Sequence, residues 1–366
     1  MSKKLCIFAN HFMEQNDRPF IIAGPCSVES REQLLAVSES LCRMPRVRMI
    51  RGGVWKPRTR PGGFEGLGEP ALRWMKEITE SPLRMSDGAP VRFCCEVARP
   101  EHAELCQQYG IQTVWLGART TANPFMVEEI CESLRGSTIQ VMVKNPISPD
   151  LKLWIGAIER MQQAGIDHVA AVHRGFSVYH WRNTQQVYRN DPLWEVALEL
   201  RRQRPDIPVI CDPSHIGGDR RLVTSLALAA VQLDYDGLML EVHPSPADAL
   251  TDGAQQLTPT ELATFLNTLP YSSGNGNPAS LEPLRKQIDD IDHELLGLLS
   301  LRMNLSRQIA HIKREQQLTV YQAKRWEEVM HDRLQMAADL GLNPDFVKEL
   351  LEKIHGESVQ VQLNDK

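Results

Sequence analysis

FIIAGPCS (20–27) is a short apolar run that closes on a metal-loving thiol, Cys26, and gives way to an amphipathic helical stretch over about 30–44. Seven more runs of the same kind follow: VRMIRGGVWKPRT (47–59), VRFCCEV (91–97), TVWLGART (113–120), IQVMVKN (139–145), HVAAVHRG (168–175), PVICDPSH (208–215) and GLMLEVHP (237–244). Helical periodicity fills the gaps near 69–80, 100–109, 124–135, 149–164, 192–203 and 218–233, and a last helical run covers 258–268. Strand–helix alternation repeated eight times predicts an α/β chain folded as a parallel (β/α)8 TIM barrel. A barrel of this kind builds its site at the C-terminal ends of its strands. Cys26, Arg51, Lys56, Glu96, Arg119, Lys144, Arg174, His215 and Glu241 end or closely follow the runs, so they are expected to converge on one mouth.

Such a barrel takes roughly 250 residues. The chain has 366, which leaves a small second domain. At Leu269 the alternation stops, and PYSSGNGNPAS (270–280) has the Gly, Ser, Asn and Pro content of a linker. The expected division is a barrel over 1–268, a linker over 269–280 and an all-α domain over 281–366. In that last part apolar residues recur at 281, 284, 288, 291, 295, 298, 305, 309 and 312, a helical spacing held for over thirty residues. A helix of about 45 Å, at 1.5 Å per residue, is longer than a compact small domain needs. It predicts a bundle built by more than one chain. Two further helices are expected near 322–340 and 344–362, broken at Asn343-Pro344.

Composition narrows the function. The hydrophobic fraction of 42% is that of an ordinary globular protein. A net charge of −5 without a polybasic stretch argues against nucleic acid as a partner. No apolar run approaches the ~20 residues of a membrane helix, so no membrane partner is expected. The opening MSKKLCIFAN is too short in apolar residues for a secretory signal core. The eight cysteines form no regular framework, and several lie inside apolar runs as reduced thiols. A cytoplasmic protein is expected.

Two constellations carry chemistry. Cys26, His215, Glu241 and Asp252 (in ALTDGAQQL) offer a thiolate, an imidazole and two carboxylates. That mixed set suits Mn, Fe, Co or Zn rather than Mg or Ca. Arg51, Lys56, Arg58, Arg119, Lys144 and Arg174 would repel one another in one mouth unless anions arrive. Substrates with several phosphate or carboxylate groups would neutralise them, with arginine giving bidentate contacts. A cation-rich mouth beside a Lewis acid favours the condensation of two phosphorylated substrates. Glycines 52, 53, 62, 63, 66 and 68 flank the second loop and allow close backbone approach.

These motifs resemble those of the 3-deoxy-D-arabino-heptulosonate 7-phosphate (DAHP) synthases, most nearly their compact type Iβ branch, over residues from about 19 to 268. AGPCS, KPRT, GAR, VKN, HRG, DPSH and the late Glu and Asp stand in that family's order. The resemblance implies condensation of phosphoenolpyruvate with erythrose 4-phosphate and loss of phosphate. It implies that Cys26, His215, Glu241 and Asp252 hold a divalent metal ion, Mn2+ by preference. It assigns phosphoenolpyruvate to Arg51, Arg119, Lys144 and Arg174, with Glu96 in the same mouth. Lys56 lies between the substrates, and Arg58 and Thr59 take the erythrose phosphate. The related octulosonate-phosphate synthases carry a loop like KANR where this chain has KPRT, which favours erythrose 4-phosphate. Asn145 and Pro146 depart from the family pattern after Lys144 and leave that loop's shape open.

The C-terminal part resembles the all-helical chorismate mutases from Leu281 to about Gln362. Arg285, Arg302, Lys313, Arg325, Ser358 and Gln362 match that family's site positions. Arg302 and Lys313 are eleven residues apart and share a helix face. Arg285 lies seventeen residues before Arg302, on a different face, so it reaches the same site only from a second chain. A homodimer through this domain is therefore expected. Chorismate rearranges to prephenate by a pericyclic shift. Arginines that hold its two carboxylates in the reactive conformer, with donors to the ether oxygen, suffice for it. Gln322 and Trp326 stand where the pattern commonly has Asp and Glu.

Rival readings remain open from the residues alone. A second reading makes the helical part a prephenate- or chorismate-sensing module, motivated by Gln322 and Trp326, and feedback through it on the barrel is expected because little chain precedes the first strand. A Schiff-base aldolase would use Lys144 as nucleophile. A glycosidase would use Glu96 and Glu241, yet would have no need of six cations.

Overall fold

The structure, a computed structural model, describes residues 19–56, 62–177, 187–269 and 281–364. The chain separates into two compact units, 1–274 and 275–366. In the first, β1 (Phe20–Gly24), α1 (Arg31–Cys42), β2 (Val47–Arg51), α2 (Glu69–Glu80), β3 (Phe93–Val97), α3 (Pro100–Gln108) and β4 (Thr113–Leu116) alternate. There follow α4 (Ala118–Thr121), α5 (Pro124–Leu134), β5 (Gln140–Lys144), α6 (Leu151–Gln163), β6 (Val169–His173), α7 (Trp194–Gln203) and β7 (Val209–Cys211). The unit ends with α8 (Pro213–Gly217), α9 (Arg220–Gln232), β8 (Gly237–Glu241) and α10 (Pro259–Thr268). All eight strands pair in parallel with their sequence neighbours, and β8 closes on β1.

Burial explains why these strands read as nearly continuous apolar runs. A parallel sheet inside a ring of helices is covered on both faces. Phe20, Ile22, Met49, Cys94, Trp115, Met142, Ala170, Val172, Ile210 and Met239 fill the barrel interior. Residues of the other parity, such as Ile21, Ile50, Cys95, Val141 and Leu238, belong to the core packed with the helices. Gly237 has no alternative at the barrel floor, because a Cβ there would lie 2.8 Å from the Phe20 ring. Helix starts are marked by side chains that accept backbone N–H groups: Ser30, Asn123, Asp150, Asp219, and Thr258 in a capping box with Glu261. The sequence reading misses α4 and α8. Each is a four- or five-residue turn, far shorter than the window in which helical periodicity shows.

His173 ends β6 with its ring turned outward among Trp154, Phe176, Trp194 and Tyr235. Its Nδ1 lies 2.9 Å from the Tyr235 hydroxyl. The next residue, Arg174, lines the mouth.

The second unit consists of α11 (Glu282–Glu315), α12 (Ala323–Asp339) and α13 (Pro344–Asn364). The 34 residues of α11 make a rod of about 50 Å. Leu284, Ile288, Ile291, Leu295, Leu298, Leu305, Ile309 and Ile312 on it are 46–64% exposed. A contiguous apolar stripe of that length is the mark of an association surface.

Burial pushes the His173 imidazole down to about 4. Its pKa in the unfolded chain is about 6.5, so the unfolded state binds the extra proton first. Stability is complete above pH 6.5 and falls as pH drops from 6.5 towards 4, with about 3 kcal/mol lost from this group by the bottom of the range. Urea midpoints of the barrel unit measured across that window should show the slope, and His173→Asn should flatten it.

Candidate active sites

The C-terminal strand ends place three metal-competent groups together. One ligand atom each from Cys26, Glu241 and Asp252 lies within 4.8 Å of the others. Cys26 follows β1, Glu241 ends β8, and Asp252 sits in the turn after β8 with a left-handed backbone at φ 48°. The Cys26 Sγ is 3.3 Å from Asp252 Oδ2. His215, on α8, stands beside the group with Nε2 3.7 Å from Glu241 Oε1. Its Nδ1 is 2.8 Å from Asp212 Oδ2, which leaves Nε2 as the nitrogen facing the cluster. Burial lowers the His215 imidazole against the pull of Asp212.

The electrostatics fit a divalent cation. Burial, and then Glu241, push the Cys26 thiol up to about 12. Burial opposes charge on Asp252, but Arg189, Lys56 and His215 outweigh it and hold the carboxyl at about 2. Glu241 is likewise held below its usual range, where His215 and Arg51 overcome burial. Two carboxylates, an imidazole and a thiol that a metal would deprotonate match a mixed hard–soft donor set. Lys56 Nζ donates to Cys26 Sγ at 2.9 Å, so this lysine stands between the cluster and the mouth.

Above the cluster opens a cavity of about 720 Å³ whose walls include Lys56, Glu96, Arg119, Lys144, Arg174 and Arg189. The expectation of six mutually repelling cations needs correction. Arg51 lies buried below the mouth, 3.0 Å from Glu241. Lys144 Nζ is 2.7 Å from the buried Asp212. Both cations also lie over the Trp115 ring, at 5.0 and 5.5 Å. Trp115 is in turn oriented by donation from its Nε1 to Glu96 Oε2 at 3.0 Å. Gly117 makes room for that carboxylate, since a Cβ would lie 2.4 Å from Glu96 Oε1. Arg174 is pushed down to about 10 by burial, against the pull of Asp212, with Arg189 and Arg119 adding smaller repulsions. An arriving anion would offset the burial cost of charge on Arg174. Arg58 and Thr59 lie outside the described residues.

Asn145, whose loop the sequence left open, ties two strands together. Its Nδ2 donates to Gly175 O at 2.9 Å and its Oδ1 accepts the Arg174 N–H at 2.7 Å. Sequence reasoning passed over Asp212, Trp115, Arg189 and Asn190. Asp212 had a signal, an acid at a strand end inside DPSH. Asn190 accepts from Arg174 Nη1 at 2.9 Å and donates to His215 O at 2.7 Å. It and Arg189 lie between β6 and α7, where no periodicity points to them.

In the helical unit, Arg302 donates to Ser358 Oγ, and Lys313 Nζ donates to Gln362 Oε1 at 3.2 Å. Those four residues form one cluster between α11 and α13. Burial lowers both Arg302 and Lys313 from their usual ranges. Arg285 instead pairs with Glu282 at 2.9 Å, and Arg325 with Glu328 at 3.4 Å, both at exposed positions. Trp326 stacks on His355 with ring centroids 3.9 Å apart.

Comparison with known proteins agrees with this division. The family model described as "DAHP synthetase I family" matches residues 7–273, and "Chorismate mutase type II" matches 284–363. A phospho-2-dehydro-3-deoxyheptonate aldolase of Thermotoga maritima is 31% identical over 240 residues, 65% of this chain and 64% of that protein. The chain thus spans slightly under two thirds of that relative's length. A 2-dehydro-3-deoxyphosphooctonate aldolase of Nitratidesulfovibrio vulgaris is 27% identical over 69% of this chain and 91% of its own. The crystal structure of the Thermotoga maritima DAHP synthase superposes with a TM-score of 0.57 at 28% identity, covering 68% of this chain and 67% of that one.

The Lys144–Asp212 pair is buried on both sides. Asp212→Ala would leave an uncompensated ammonium, and a loss of about 3–5 kcal/mol is expected. Chemical denaturation of the variant against the parent measures it.

Proposed function

Because the chain belongs to the DAHP synthetase I family and continues into a chorismate mutase type II segment, we propose that it is bifunctional. The barrel condenses phosphoenolpyruvate with erythrose 4-phosphate to DAHP and phosphate, and the helical unit rearranges chorismate to prephenate. The observation that carries the first reading is the Cys26–Glu241–Asp252 group set directly beneath a mouth walled by Lys56, Arg119, Lys144 and Arg174. We assign the synthase domain to 1–268, the linker to 269–280 and the mutase domain to 281–366.

Arg119 and Arg174 hold the phosphate of phosphoenolpyruvate, and Lys144 stands beside its carboxylate. Arg51 acts from below, by fixing Glu241. Glu96 holds Trp115 as a flat floor for both cations. Lys56 lies between the two substrates, where its ammonium holds a proton close to the carbonyl oxygen that becomes a hydroxyl. Arg58 and Thr59 of KPRT supply the erythrose phosphate contacts, and that motif favours the four-carbon aldose over the five-carbon one of the octulosonate enzymes. Cys26, His215, Glu241 and Asp252 would hold a divalent metal, Mn2+ by preference with Fe, Co and Zn also suited, and it would supply Lewis-acid polarisation of the aldehyde carbonyl. Water is excluded from C3 of the enol while the mouth is filled.

In the helical unit Arg302 binds one chorismate carboxylate beside Ser358, while Lys313 and Gln362 donate to the ether oxygen as charge grows there. Arg325 completes the site. Arg285 is supplied by a second copy, which also covers the apolar stripe of α11, so the working form is a homodimer. Prephenate or chorismate bound there provides feedback on the barrel. The free thiols suit the reducing cytoplasm.

Both activities are expected from the purified chain. A chelator should abolish phosphoenolpyruvate consumption, Mn2+ should restore it, and chorismate loss should ignore both. Cys26→Ala should lower synthase kcat at least 100-fold with mutase unchanged. Arg302→Ala should lower mutase kcat/KM at least 100-fold with synthase unchanged. Synthase turnover by Cys26→Ala in metal-stripped buffer at the parent rate would overturn the metal-centred reading.

A further inference from the structure

ALTDGAQQL (249–257) supplies more than Asp252. Its two glutamines are buried, at 1% and 0% exposure, and each reaches a different member of the cluster. Gln255 Nε2 donates to Glu241 Oε2 at 2.6 Å. Gln256 Oε1 accepts the backbone N–H of Cys26 at 3.0 Å, and its Nε2 donates to Thr251 O at 2.8 Å. Arg189 Nη1 reaches Asp252 Oδ1 at 3.0 Å and Gln255 Oε1 at 2.7 Å. One turn therefore touches groups brought from the ends of β1 and β8, which lie far apart in the chain.

We propose that Gln255 and Gln256 are positioning residues that aim Glu241 and Cys26 at a bound divalent cation and so set the affinity of the site. This rests on the metal-centre reading above. Arginine only donates, so the Gln255 oxygen must face Arg189 and its NH2 must face Glu241. The amide is thereby locked in one orientation and occupies Glu241 Oε2. Glu241 Oε1 is left towards Arg51 Nη2 at 3.0 Å and His215 Nε2 at 3.7 Å. Gln256 fixes the backbone from which the Cys26 thiol projects. Buried amides are costly unless bonded, and here two of them spend their hydrogen bonds on the cluster and its turn.

The turn itself does not need the Gln255 side chain for its shape. Leu257 N donates to Glu241 O at 2.9 Å and Gln255 N to Asp252 O at 3.1 Å. A Cβ on Gly253 would lie 2.3 Å from Pro246 O, so that side of the turn is closely packed. Loss of the amide therefore separates aiming from folding.

The test is Mn2+ binding to the metal-free full-length chain, read as free Mn2+ by electron paramagnetic resonance. Gln255→Met keeps length and loses both hydrogen bonds. Its Kd should rise roughly 10- to 100-fold, the range seen when outer partners of metal ligands are removed, and Gln256→Met should rise about 10-fold. Thermal midpoints of the metal-free proteins should stay close to the parent. Should Gln255→Met melt far lower, Gln255→Asn, which keeps an amide too short to span both partners, should show the same weakening. Parent-like Kd values in folded variants would overturn the positioning role alone. A parent that binds no Mn2+ would overturn the metal-centre reading, and this inference with it.

Discussion

Charge buried without a partner is what the barrel mouth has to avoid, and the local arrangement follows from that. Arg51, Lys144, Asp212 and Glu241 are all taken out of water within one layer. Isolated charges there would cost several kcal/mol each. Each instead meets an opposite charge, Arg51 with Glu241 and Lys144 with Asp212, and both cations share the face of Trp115. The neutral ring can serve two cations only while its edge is held, which is the part played by Glu96.

Under the proposed function, the two units would meet anionic substrates in opposite ways. In the barrel, cations from several strand ends are spaced by intervening carboxylates, so the mouth is pre-organised and strongly polar. In the helical unit, Arg302 and Lys313 are parked on the neutral acceptors Ser358 and Gln362. Neutral partners orient a cation without neutralising it, and they can be released when a carboxylate arrives. A pericyclic rearrangement needs a held shape and a little charge at one oxygen, and such a site offers little else.

How much was legible beforehand can be argued from particular residues. The barrel could be read because strand burial on both faces forces apolar runs, and β1 to β8 all show it. Cys26, Arg51, Glu96, Lys144 and Glu241 could be located because strand ends point to one rim by topology alone. Their pairing could not be read. Nothing in DPSH says that Asp212 reaches Lys144 across β6, since such contacts depend on barrel curvature and side-chain length. Arg189 lies outside every helix and strand, and Gln255 and Gln256 end a three-residue 3-10 turn, too short for periodicity to show. Short helices such as Pro213–Gly217 escape for the same reason.

The stripe along α11 has a consequence for abundance. Eight large aliphatic side chains left half in water over some 50 Å of helix make a lone copy sticky, and mass action then governs how often it finds a like surface. On the homodimer proposed above, cellular copy number would enter the chemistry of the helical half directly. A strand-closed barrel has no edge to complete and carries no such dependence within its own fold.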